Sequence, residues 1–117
     1  MTQGREGASE VEERNFGLRR ERVNDREHVR VAGELDLSVI GLVDREMERA
    51  EATDAAKIVL DLDEVEFMDA AGIRLLLRLN ARSEGDGRRL RIHGSGGPQV
   101  RRVLDLTGVG ELLPFEA

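Results

Sequence analysis

Ile58-Val59-Leu60-Asp61-Leu62-Asp63-Glu64-Val65-Glu66-Phe67-Met68-Asp69-Ala70-Ala71-Gly72 is the stretch on which the fold turns. Its start, Ile58–Leu62, is an apolar run of strand length. An acidic link follows, and then an Asp, two Ala and a Gly lead into the Leu-rich segment that begins at Ile73. A strand that passes through a short link into a helix is half of a strand-helix-strand unit. Asp69 stands where a helix cap is expected, and Ala70 and Ala71 fall where the first backbone N–H groups of a helix are exposed with a favourable dipole. Such a spot suits a docking role as well as a purely structural one.

Working outward, apolar and charged residues alternate over Phe16–Val23 and again over His28–Glu34, with Asn24-Asp25 as the turn between them, which predicts a hairpin. Ser38 is expected to cap a helix carrying Val39, Val43, Met47 and Ala50 at helical spacing. A second helix is expected from Ala70 to Ser83, with Ile73, Leu76, Leu77 and Asn80 on one stripe and Arg74, Arg78 and Arg82 on another. Gly85-Asp86-Gly87 ends it. Arg89–His93 alternates as a strand with one wet face. Gly94-Ser95-Gly96-Gly97 reads as a flexible loop, and Pro98 opens a third helix whose buried stripe is expected at Val100, Val103, Leu104 and Leu106 before Gly108. Glu111–Phe115 reads as a short edge segment. The fold class is therefore α/β, a mixed sheet in which an N-terminal antiparallel hairpin sits beside parallel strands covered by helices.

The chain has 117 residues and a formal net charge of −6, enough for one domain. Residues 1–14 have almost no apolar content and are expected to be a mobile tail, leaving 15–117 as the domain. Hydrophobic residues make up 39%, and the only aromatics are three Phe, so aliphatic side chains must fill the core and stacking platforms for bases are not expected. The acidic balance also argues against nucleic-acid binding. With no Cys there is no disulfide, no Cys-ligated metal and no thiol nucleophile. No run approaches a signal peptide or a membrane span, so a cytoplasmic protein without direct membrane insertion is expected.

Charge is unevenly placed. Residues 51–69 hold seven acids against Lys57, a local balance of −6, and residues 74–102 hold eight Arg against Glu84 and Asp86, a local balance of +6. Two faces of opposite sign can orient a protein partner; solvated surface is the plain alternative.

Catalysis is not expected. A phosphoacceptor aspartate like that of a receiver domain needs an acidic pair for Mg²⁺ and a lysine near the phosphoryl group, but the only earlier strand-end acids are Glu34 and Asp36, and the only lysine, Lys57, precedes Asp69. His28 and His93 lack metal-ligand spacing and read as ordinary strand residues, so neither metal nor cofactor is expected. The Gly94–Gly97 run lacks the Lys and Ser/Thr of a P-loop.

Three pieces in order, Gly33-Glu34-Leu35-Asp36, Ile58 through Ile73, and Pro98 through Val109, resemble the STAS domain family, in particular its anti-sigma factor antagonists, over roughly residues 16–116. The resemblance implies a non-catalytic module that docks on a partner through Asp36, Ser38, Asp69, Ala70, Ala71, Gly72 and Arg74. It implies as partner an anti-sigma factor with a kinase-like ATP-binding fold, sequestered so that a sigma factor is released, which makes the chain a signalling component of partner switching and transcription regulation in bacteria. In the family the residue at the position of Ala70 is a phosphorylatable serine; Ala70 would be a degenerate phosphosite, and Ser38 is the nearest substitute hydroxyl. A second role compatible with the same resemblance is an accessory subunit of a membrane transporter, or a scaffold in a signalling assembly. Asp69 is compatible with a cap, a partner contact or both, and Arg74, Arg78 and Arg82 with either a partner contact or a solvated helix face.

Overall fold

The computed structural model describes residues 9–13 and 15–116. Five strands lie in the sheet in the order of the chain: β1 (Ser9–Glu13), β2 (Phe16–Val23), β3 (Arg26–Leu35), β4 (Lys57–Met68) and β5 (Leu90–His93). β1, β2 and β3 pair antiparallel; β3, β4 and β5 pair parallel. The parallel links are made by α1 (Ile40–Glu51) and α2 (Ala70–Glu84), and α3 (Pro98–Thr107) follows β5. This is the α/β mixed sheet expected. No helix among the described residues is long and apolar enough to cross a membrane.

β1 corrects the sequence reading. Residues 9–13, assigned to a mobile tail, pair with β2 in a register that sets Glu10 opposite Arg19 and Val11 opposite Leu18. A five-residue strand with a single apolar side chain has no periodicity to betray it. Residues 1–8 of the expected tail lie outside the described residues.

The hairpin of β2 and β3 turns through Asn24 at φ 56°, a left-handed conformation that Asn tolerates better than most residues. At the far end Gly33 has φ 89°, and a Cβ there would stand 2.1 Å from the Asn15 carbonyl oxygen, so only glycine fits. Next to it the Glu34 N–H donates to Asn15 O at 2.8 Å.

β4 is longer than the Ile58–Leu62 run. The acidic link proves to be strand, because the ladder with β3 continues through Val65, Phe67 and Met68 by means of two register shifts, between Arg30 and Ala32 and between Gly33 and Glu34. Asp63, Glu64 and Glu66 remain exposed while Val65 and Met68 are buried, a pattern that the bulges take out of strict alternation.

The core is aliphatic: Leu35, Leu60, Leu62, Met68, Leu75, Leu76, Leu79 and Ile92 are essentially inaccessible. The helix stripes differ from the expected ones. In α2 the inward face is Ile73, Leu75, Leu76 and Leu79, and Leu77 is exposed; in α3, Val100 and Leu104 are buried but Leu106 is 79% exposed. The Gly94–Gly97 segment is pinned, not loose. Gly97 N–H donates to Val65 O at 2.9 Å, and the Gln99 amide beyond it bonds both the N–H and the C=O of Met68. Chain beyond a 3-10 turn at Val109–Glu111 lies against β5, where Ile92 N–H donates to Pro114 O and Glu116 N–H to Ile92 O. That covers the β5 edge as the sequence suggests.

Charge is buried between the sheet and α1. Arg20, on the same face of β2 as Phe16 and Leu18, ion-pairs with Glu46 of α1 and with Glu27 of β3, the latter at 2.9 Å, and all three are buried. Burial works against the Arg20 charge, but the hydrogen bonds and attraction of the two carboxylates outweigh it and hold its pKa above the usual arginine value. Arg49 reaches Glu46 from the solvent side at 2.8 Å. Removing Arg20 takes the shared cation from between two buried carboxylates, so Arg20→Ala should cost about 3 kcal/mol of unfolding free energy. The exposed Arg26–Glu116 pair should be worth below about 1 kcal/mol when cut by Arg26→Ala. Urea titration of both variants checks the contrast, and equal losses would refute it.

Candidate functional site

Parallel pairing of β3 with β4 sets Leu35 opposite Met68, so the segments leaving the two strands emerge side by side at one edge of the sheet. Asp69 N–H donates to Leu35 O at 3.4 Å, and α2 begins at the next residue. Asp69 has the extended conformation of an N-cap (φ −100°, ψ −173°), and its Oδ1 accepts from Gly72 N–H at 3.1 Å. Its Oδ2 accepts from Leu37 N–H at 3.2 Å. A single carboxylate thus caps α2 and holds the loop that leaves β3.

Gly72 makes this approach possible. A Cβ on it would stand 2.5 Å from Met68 Cγ and 2.9 Å from the Leu35 carbonyl oxygen, so the first turn of α2 could not rest on the end of β3 with any larger residue.

Asp36 builds the neighbouring turn. Its Oδ1 accepts from Ser38 N–H at 3.0 Å and from Ser38 Oγ at 2.7 Å, and its main-chain O accepts from Val39 N–H at 3.0 Å. This corrects the expectation that Ser38 caps α1. The cap position is Val39, no side chain caps that helix, and the Ser38 hydroxyl is turned back to Asp36.

The seven expected site residues therefore fall into two groups. Ser38, Ala70 and Arg74 are exposed, and Asp36 and Asp69 half-buried; Ala71 and Gly72 face the interior and shape the surface only through packing. Two apolar residues missed in the sequence lie at the same edge. Leu37 is 74% exposed, and Phe67, just before Met68, is 40% exposed. Leu37 carried a readable signal, an apolar residue between Asp36 and Ser38 that fits neither the strand nor the helix stripe. Phe67 carried none once β4 was taken to end at Leu62.

The arginine stripe divides as well. Arg82 pairs with Asp44 at 2.8 Å and Glu51 at 3.0 Å, and Arg78 with Asp44 at 3.5 Å, tying α2 to α1. Burial opposes the Arg82 charge, yet the bonds to Glu51 and Asp44 prevail and raise its pKa. Arg74 alone of the three has no ion pair among the described residues, and it stands one helical turn from Ala70.

His93 is the strand residue expected, at the end of β5, and it has two acidic neighbours. Across the ladder it pairs with Asp61, and its Nε2 lies 3.6 Å from Asp63, so the three could present ligand atoms within 4.8 Å of one another. Asp61 is already engaged by Arg30 at 3.3 Å and by Asp63 N–H at 2.9 Å, which gives the cluster a cation of its own.

The family model described as Mlab, STAS domain, matches residues 18–114. The chain is 32% identical over 96 residues to an anti-sigma F factor antagonist of Paenibacillus polymyxa, an alignment covering 74% of each chain. Among solved structures it is similar to an anti-sigma factor antagonist from Mycobacterium paratuberculosis, with TM-score 0.72 and 24% identity over 86% of this chain and 84% of that one. It is also similar to the antagonist SpoIIAA in its unphosphorylated form, with TM-score 0.68 and 24% identity over 86% and 88% of the two chains. The strand order, the cap at Asp69 and the match over most of the sequence agree: the chain belongs to the STAS domain family.

Proposed function

We propose that this protein is an anti-sigma factor antagonist, a non-catalytic module that binds an anti-sigma factor and so frees a sigma factor. The observation that carries the reading is the Asp69 bridge, which fixes the Asp36–Ser38 turn against the start of α2 and holds Leu37, Ala70 and Arg74 toward solvent on one pre-organised edge. The 32% identity to a protein named as an antagonist of this kind supports it. The docking set is Asp36, Ser38, Asp69, Ala70 and Arg74, with Leu37 as its apolar centre and with Ala71 and Gly72 supporting it from inside.

In this reading the partner is a cytoplasmic anti-sigma factor with a kinase-like ATP-binding fold. Ala70 has no hydroxyl, so a kinase acting at the start of α2 finds no acceptor there, and the protein stays competent to bind whenever its partner is available. A negative charge at that point, beside Asp69, is what a phosphate would supply.

Capture of the tagged protein from soluble and membrane fractions of its own cells tests the partner class. Recovery of an anti-sigma factor from the soluble fraction supports the proposal; recovery of a membrane transport complex in its place replaces it with the transporter-subunit role. Against the captured anti-sigma factor, Ala70→Glu should weaken binding about tenfold or more, measured by calorimetry, and unchanged affinity would remove the start of α2 from the interface. Asp69→Ala should lose both N–H partners and about 1–2 kcal/mol of stability in urea titration. An unchanged midpoint would show that the bridge does not hold the edge.

A further inference from the structure

We propose that Asp61, Asp63 and His93 form a binding site for one divalent transition-metal ion of the zinc class. The site lies down the sheet from the Leu35–Met68 end, and the inference does not depend on the docking reading.

Two strands bring the three residues together. Asp61 and Asp63 are alternate residues of β4, and His93, the last residue of β5, stands opposite Asp61 in the parallel ladder. One ligand atom from each side chain falls within 4.8 Å of the other two, and His93 Nε2 lies 3.6 Å from Asp63 Oδ2. Around an ion held by bonds of about 2.0–2.2 Å, neighbouring ligand atoms stand roughly 3 to 3.5 Å apart. Rotation of the exposed Asp63 and His93 side chains closes that difference without moving either strand. An imidazole with two carboxylates is a donor set for zinc and its neighbours, whereas calcium and magnesium favour oxygen alone.

The backbone is shaped to this meeting. Between Arg30 and Ala32 the ladder advances from Asp61 to Glu64, so β4 bulges at the site, and Asp63 N–H donates to Asp61 Oδ1 at 2.9 Å. Gly94, directly after His93, has φ 77°, and a Cβ on it would stand 2.2 Å from Asp63 Oδ1. Any side chain there would push aside the carboxylate that faces the imidazole.

The ligand groups are also uncommitted. Neither the His93 ring nor the Asp63 carboxylate has a hydrogen bond among the described residues, and 3.6 Å is too long for one between them. Asp61 is held by Arg30 Nε at 3.3 Å, which balances one of the two carboxylates and leaves the other over. The Arg30 side chain is 42% exposed, free to turn away, and so stands in for the ion that would compete with it. A cleft of about 360 Å³ whose lining includes His28, Asp61, His93 and Glu116 opens beside the cluster, so an ion would reach the site from solvent and keep positions for water.

The test titrates the tag-free full chain, stripped of metal by a chelator and dialysed, with zinc chloride in a calorimeter. The expected result is one ion per chain, with affinity falling about tenfold or more in His93→Gln and in Asp63→Asn. Circular dichroism checks that both variants, altered at exposed positions, are folded. His28→Gln, on the neighbouring strand, should bind as wild type does. Arg30→Gln should bind about threefold tighter or more, because it removes the competing cation. Zinc that does not bind wild type, or that binds wild type, His93→Gln and Asp63→Asn equally as an adventitious ion only, overturns the inference. So does loss of binding in His28→Gln with His93→Gln unaffected, or weaker binding in Arg30→Gln.

Discussion

The carboxylate of Asp69 is the constraint on which the candidate docking edge depends. It accepts from Gly72 in its own helix and from Leu37, which is 32 residues away in sequence. The bond to Leu37 could not form unless α2 began hard against the end of β3, and that closeness is set by the missing side chain of Gly72. A charged acceptor with two main-chain donors is a stronger and more directional tie than neutral hydrogen bonds would supply. The loop is thereby kept in one shape with Leu37 outward, though burial alone would favour tucking that leucine in.

The helices on either side are positioned largely by charge. Arg20 fastens α1 to the sheet through Glu46, and Arg78 and Arg82 fasten α2 to α1 through Asp44 and Glu51. In a core without Tyr or Trp these ion pairs add directional contacts to packing that is otherwise aliphatic. The arginine stripe, compatible in the sequence with either a partner contact or a solvated helix face, is in large part this internal fastening.

Most of the frame was legible because it follows from short-range rules. The hairpin was announced by alternation around Asn24-Asp25, α2 by its leucines after an Asp cap, and the parallel pairing by strand-helix-strand order. What stayed hidden depends on neighbours distant in sequence. The second half of β4 is strand only because bulges keep it paired with β3, and the three acids in that stretch, Asp63, Glu64 and Glu66, mimic a loop. β1 is strand only because β2 offers an edge. Ser38 has the composition of a cap, yet Asp36, two residues earlier, claims its hydroxyl. Of the site itself, Asp36, Asp69 and Gly72 were readable from their motifs; Leu37 and Phe67 became visible only once their exposure was known, because an apolar letter in a sequence does not say which way it faces.

The parallel joining of β3 to β4 also sets a timetable. A hairpin can close as soon as its second strand leaves the ribosome, but β4 finds β3 only after the whole of α1 has been made, and its other flank waits for β5. Leu37 therefore meets Asp69 only after the whole of α1 and β4 have been made. A chain made only as far as α1 carries Asp36, Leu37 and Ser38 without the carboxylate that holds their loop against the sheet.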